Sequence, residues 1–184
     1  MVTYTGDSPL TDGSPPRAAA VLLLFYPDPH TGATTLVFTR RTAHLSSHAG
    51  QISFPGGRID PTDRDAAAAA LREAEEELGI PPATVTVTGL LIPVHTVVSN
   101  YLITSVIGHA AARPAFRPNP AEVAAVIELP LAQLRDPAIH RREARATPRG
   151  PLDVHYFQAG PHTIWGATAR ILRLFLDEGA GSGL

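Results

Sequence analysis

The chain has 184 residues, 44 % apolar and 17 % charged, with a formal net charge of −2. That composition suits a single ordinary globular domain rather than a disordered chain, and it supplies no overall field to draw the protein to nucleic acid or to an anionic membrane. There is no cysteine, which removes disulfides, thiolate zinc sites and cysteine nucleophiles.

All 15 basic residues are arginine, a bias that reads as genomic composition. The first 16 residues are polar and rich in Pro and Gly, with no apolar core for a signal peptide. They read as a flexible arm, followed by one domain over 17–178 and a frayed tail over 179–184. The first apolar run, AAAVLLLFY (Ala18 to Tyr26), is too short for the roughly 20 residues of a membrane helix. It reads as a buried strand, and the cytoplasm is the default location.

A second strand is expected at TTLVFTR, joined to the first through the turn-rich PDPHTGA. QISF is a short strand candidate. A helix is expected from Asp63 or Asp65 to Leu78, with Gly79 as its stop signal and Thr62 and Asp65 as a weak capping box. VTVTGLLIPVHTVV, YLITSVIGHA and AAVIELP read as further strands, rich in Val and Ile. LAQLRD is a short helix candidate. HRREARAT and LDVHYFQ form a late hairpin, and GATARILRLFLDEG a final helix. Strands dominate without regular alternation with helices, so the fold class is α+β, a mixed β-sheet between helices.

The first helix carries the chemistry. Glu73, Glu76 and Glu77 are spaced i, i+3, i+4 and share one face. Three like charges there repel unless something positive lies between them, and hard oxygen ligands suit Mg²⁺ or Mn²⁺. Taken alone, the helix also fits a solvated acidic face, with Arg72 paired to Glu75 or Glu76. The wider pattern favours a metal: a strand ending in Phe54-Pro-Gly-Gly57, an aspartate-bearing loop, then Arg-Glu-x-x-Glu-Glu-x-Gly-apolar.

That stretch resembles the Nudix box, the signature of hydrolases that cleave nucleoside diphosphates linked to another group. Gly57 fits the opening Gly, Asp63 stands where the first Glu is expected, and eight residues rather than seven separate it from Arg72. Glu73, Ala74, Glu76, Glu77, Gly79 and Ile80 then follow in register. The Asp and the longer spacing resemble the coenzyme A diphosphatase-like branch. So does the segment Leu36 to Gly57, in which Thr39, Arg41, Gly50, Phe54, Pro55, Gly56 and Gly57 match, while Thr42 and Ser46 depart from the branch. YFQAGPHTIWGATARIL resembles the family's ending.

The resemblance implies an α/β/α sandwich and a metal held by Glu73, Glu76, Glu77 and the Gly57 carbonyl. It implies that Arg72 orients the glutamates, and that Glu122 is the best candidate to accept the attacking water's proton. Arg40, Arg41, His48, Gly50 and Phe54 are then the expected substrate-binding residues. The expected partner is a small coenzyme A-like nucleotide, with no nucleic acid or membrane, and the chain is a monomer or homodimer. The expected activity is a metal-dependent coenzyme A diphosphatase. The alternatives are a hydrolase of NADH, ADP-ribose or a nucleoside triphosphate, and a non-catalytic nucleotide-binding module.

Eight histidines include no His-Glu-x-x-His arrangement. His44 and His48 lie in a loop-like stretch. Arg135, Arg141, Arg142, Arg145 and Arg149 read as a solvated edge hairpin or, less simply, a phosphate grip. Trp165 is expected to pack under the last helix, with base stacking as the less favoured reading.

Overall fold

A computed structural model describes residues 14–43, 50–96, 99–147 and 150–179. The expected arm and tail thus lie almost entirely outside the described residues, as do His44, Ser46, His48 and Arg149.

Strand β1 (Arg17–Pro27) is the axis of the molecule. Its residues alternate between two cores: Leu23 and Phe25 face one, and Ala20, Leu22, Leu24 and Tyr26 face the other. A strand buried on both faces needs an unbroken apolar run, and Ala18 to Tyr26 provides it. One edge of β1 pairs in parallel with β7 (Tyr101–His109) over its length. The other edge is divided. β2 (Thr34–Arg41) pairs antiparallel with the end of β1, and β4 (Gly56–Arg58) with its beginning. β1 and β2 therefore part company towards the start of β1, and the Gly-Gly loop enters the opening.

β3 (Ile52–Ser53) and β8 (Val123–Pro130) pair with β2, while β5 (Thr86–Leu90) and β6 (Val94–Thr96) pair with β7. One parallel pair among antiparallel ones makes the sheet mixed, as expected. Helix α1 (Ala66–Leu78) covers one face through Ala69, Ala70, Ala74 and Leu78. The opposite face receives the short α2 (Leu131–Leu134) and α3 (Gly166–Gly179). Phe175 of α3 meets Phe25 with ring centroids 4.9 Å apart. Beside α3 lies a second, three-stranded sheet, β11–β10–β9, made of β9 (His140–Thr147), β10 (Gly150–Ala159) and β11 (His162–Trp165).

The N-cap of α1 is Asp65, whose carboxylate accepts the Ala68 N–H at 2.7 Å. This corrects the Thr62 capping box: Asp65 itself is the capping residue. Gly79 closes the helix in the left-handed region, at φ 67°, where a glycine has no Cβ to strain.

Candidate active site

Helix α1 lies along the opening between β1 and β2, and it brings an acidic side chain with it. Glu77 is the one charged residue buried below a tenth of its surface among the described residues, at 3 % exposure. Its Oε2 accepts the Gly56 N–H at 3.3 Å, and its Oε1 lies 4.0 Å from Arg41 Nη1. Burial raises the Glu77 carboxyl to about 7; the Gly56 N–H and the Arg41 charge oppose the rise, and the charges of Glu73 and Glu122 add to it.

Glu73, one turn earlier, lies against Gly57. A Cβ on Gly57 would fall 2.5 Å from Glu73 Cδ, so only glycine leaves the carboxylate its place. The Glu73 carboxyl is also shifted up, by burial first, against the pull of Arg72 and with the push of Glu76 and Glu122. Glu76 is placed differently. Its side chain is 56 % exposed, and its Oε2 accepts from Arg72 Nη1 at 3.1 Å.

Arg72 ties the helix to the loop before it. Its Nε and Nη2 donate to the two carboxylate oxygens of Asp63 at 3.0 Å each, Nη2 also donates to the Arg58 carbonyl, and Nη1 donates to Glu73 Oε1 at 3.1 Å. The Asp63 carboxyl is held below the usual range, by Arg72 first and the Asp60 N–H second. Asp63 thus serves as the anchor for Arg72, a role that its place in the motif alone does not disclose.

Glu122 precedes β8. Its backbone carbonyl accepts the Thr42 N–H, and Asn119 in the same loop donates its N–H to the Glu77 carbonyl. The loop is therefore stitched both to the residue after Arg41 and to α1. Its carboxylate is close enough for its charge to raise both Glu73 and Glu77.

The expected substrate-binding residues divide. Arg41 faces Glu77, with its buried Nε unpaired among the described residues. Arg40 and Gly50 instead line an open cavity of about 780 Å³ shared with Gln51, Arg145, Tyr156 and Trp165. Phe54 is 2 % exposed and stacked on Phe38 at 4.8 Å between centroids. It packs the core instead of facing a pocket, because its side chain falls on the inner side of the turn into Gly56. His48 lies outside the described residues. Trp165 is corrected too. It is 40 % exposed and lines the cavity, because pairing with Tyr156 places it on the outer side of β11 and away from α3.

The sequence model of the NUDIX domain matches residues 15–150, which contain α1, the Gly-Gly loop and Glu122. The chain belongs to the Nudix family. Over 167 residues it is 42 % identical to a protein named the uncharacterized Nudix hydrolase NudL of Escherichia coli strain K12, covering 85 % of this chain and 80 % of that one. A Nudix hydrolase of M. smegmatis, RenU, shares the fold with a TM-score of 0.65 at 23 % identity, covering 95 % of this chain and 94 % of that one. The Nudix domain of Shewanella oneidensis NrtR, solved with ADP ribose, has a TM-score of 0.50 at 18 % identity, covering 70 % and 81 %. As a Nudix hydrolase the chain is an enzyme, a pyrophosphohydrolase. Among the described residues no helix is long and apolar enough to cross a membrane.

Nudix hydrolases generally use divalent metal ions, and the donor set here fits one. Glu73, Glu76 and Glu77 of α1 are hard oxygen donors, and burial together with the charges of neighbouring carboxylates pushes the Glu73 and Glu77 carboxyls up, a repulsion that a divalent cation relieves. Among the described residues no three acidic or histidine side chains stand together as a metal ion would need, because Glu76 is turned outward onto Arg72.

Proposed function

We propose that the chain hydrolyses the diphosphate of coenzyme A or an acyl-coenzyme A, giving 3′,5′-ADP and 4′-phosphopantetheine or its acyl derivative. The observation that carries this reading is the course of β2. It opens the segment resembling the coenzyme A branch and ends beside the glutamates of α1, with Arg41 Nη1 4.0 Å from Glu77 and Arg40 in the neighbouring cavity. Substrate on both sides of this strand would have its diphosphate at the glutamates and its remaining groups in the cavity.

Glu73, Glu76, Glu77 and the Gly57 carbonyl would hold Mg²⁺ or Mn²⁺. When bound, the ion supplies charge neutralisation for the phosphoryl oxygens. Arg72 fixes Glu73 and Glu76 in place from Asp63. Glu122 accepts the proton of the attacking water. Arg41 offsets charge beside Glu77.

The test is a side-by-side comparison of kcat/KM for coenzyme A, acetyl-coenzyme A, ADP-ribose, NADH and a nucleoside triphosphate, with Mg²⁺ and with Mn²⁺. Coenzyme A or its acyl form should lead. A tenfold advantage for any of the others, about 1.4 kcal/mol of transition-state preference, would contradict the coenzyme A reading.

A further inference from the structure

The cavity on the far side of β2 differs chemically from the glutamate site. Its lining is Arg40 from β2, Gly50, Gln51 and Ile52 at β3, Arg145 from β9, Tyr156 from β10, and Pro161, Thr163 and Trp165 around β11. It contains two guanidinium groups, two aromatic rings and no carboxylate. Its volume, about 780 Å³, lies within the range of small-molecule sites.

Three of its groups lack the partners that a closed surface would give them. Trp165, the chain's single tryptophan, is 40 % exposed, although an indole is the side chain with most to gain from cover. The Tyr156 side chain is 5 % exposed, yet its buried hydroxyl has no hydrogen-bond partner among the described residues. Such a group normally finds one. Arg40 donates from Nη2 to His162 Nδ1 at 3.0 Å and has no carboxylate partner among the described residues. Among the described residues Arg145 pairs with Glu143, at 4.0 Å, and lies over the Tyr156 ring at 5.6 Å. A cationic, aromatic cavity is complementary to a flat ring that carries a phosphate. An arginine fork suits a phosphomonoester dianion, and an indole face suits a nucleobase.

We infer that this cavity is a specificity subsite for a nucleoside bearing a phosphomonoester outside the scissile diphosphate, with Trp165 stacking the base and Arg40 and Arg145 holding the phosphate. It rests on the coenzyme A reading for the identity of that group, the 3′-phosphoadenosine end. Arg40 is the covalent neighbour of Arg41, so one strand joins the subsite to the reacting centre. The subsite then selects substrates without contributing to bond cleavage.

The single tryptophan makes the test direct. The full chain, without metal, is titrated with adenosine 3′,5′-bisphosphate, with AMP and with inorganic phosphate, and the fluorescence of Trp165 is followed. Adenosine 3′,5′-bisphosphate should give a saturable change at a concentration about tenfold or more below that needed for AMP. Arg145→Gln and Arg40→Gln should each shrink that difference. In turnover, the same variants should lower the ratio of kcat/KM for coenzyme A over dephospho-coenzyme A by about tenfold. Arg145 is largely exposed, so Arg145→Gln keeps the test interpretable if a change at Trp165 or Arg40 disturbs folding. Equal affinity for AMP and the bisphosphate, or a silent Trp165 under saturating bisphosphate, overturns the subsite. An enzyme that hydrolyses coenzyme A with a preference untouched by both arginine changes overturns the subsite and leaves the coenzyme A reading standing. Selective binding of the bisphosphate by an enzyme that spares coenzyme A supports the subsite and overturns that reading.

Discussion

Gly57 and Glu73 touch so closely that hydrogen alone fits between them: a Cβ on Gly57 would lie 2.5 Å from Glu73 Cδ and both carboxylate oxygens within 2.6 Å. The obstructing atoms belong to the end of a flexible side chain, so Gly57→Ala should move Glu73 and leave the backbone in place. The expected result is a stability change within about 1 kcal/mol together with a rate loss of about 100-fold or more. Thermal melting and kcat measured on one preparation separate the two effects.

Gly56 offers the converse. Its φ is 149°, and a Cβ there would meet the Ala20 carbonyl oxygen at 2.3 Å and Val21 Cα at 2.6 Å, both backbone atoms of β1. Gly56→Ala must push two strands apart. It should cost about 3 kcal/mol or more, visible as a lower melting temperature even in the absence of metal.

Glu77 gives a pH dependence with a definite sign. Its folded carboxyl titrates near 7 and its unfolded one near 4.5, so between those values folding takes up a proton. The stability it contributes is complete below about pH 4.5 and is lost as pH rises through 7. The loss is about 3 kcal/mol if the full shift is expressed. His140 and His155, held below their usual range chiefly by burial, act with the opposite sign at mildly acid pH. The readout is therefore the difference between wild type and Glu77→Gln in chelator. The wild type should lose ground to the variant between pH 5 and 8, and divalent metal at pH 8 should recover it. A difference that does not change with pH would show that Glu77 is ionised throughout.

Phe54 separates a packing role from a binding one. Stacked on Phe38 and 2 % exposed, it should cost about 3–5 kcal/mol on change to Ala. Phe54→Leu should keep KM for the substrate near the wild-type value. A large KM rise in a stably folded Phe54→Leu protein would return the residue to the substrate pocket.

Much of this was legible in the sequence because it is local. The apolar run of β1, the alanine-rich face of α1 and its Gly79 stop each depend on neighbours within a few residues. The i, i+3, i+4 glutamates were legible for the same reason. What their spacing could not convey is that Arg72 draws Glu76 to the exposed side while Glu77 goes inward, since that depends on Asp63 and Gly56 in the preceding loop. β4 and β11 carry no strand pattern of their own; β4 is Gly-Gly-Arg and exists because β1 offers a free edge. Trp165 and Phe54 were misplaced for one reason. Which side of a strand a ring occupies is set by pairing with a distant partner, Tyr156 for the first and the turn beside Phe38 for the second. The cavity draws on residues from Arg40 to Trp165, and no window of the chain contains it.

The most direct measurement is the rate of coenzyme A cleavage by the metal-saturated wild-type enzyme beside Glu77→Gln, with products separated and identified. The wild type should release 3′,5′-ADP and 4′-phosphopantetheine, lose the activity in chelator and regain it with Mg²⁺ or Mn²⁺. Glu77→Gln should be slower by about 1,000-fold or more while retaining its melting transition. A Glu77→Gln protein with wild-type turnover, or a wild type whose cleavage survives chelation, would contradict a reaction centred on the buried glutamate of α1.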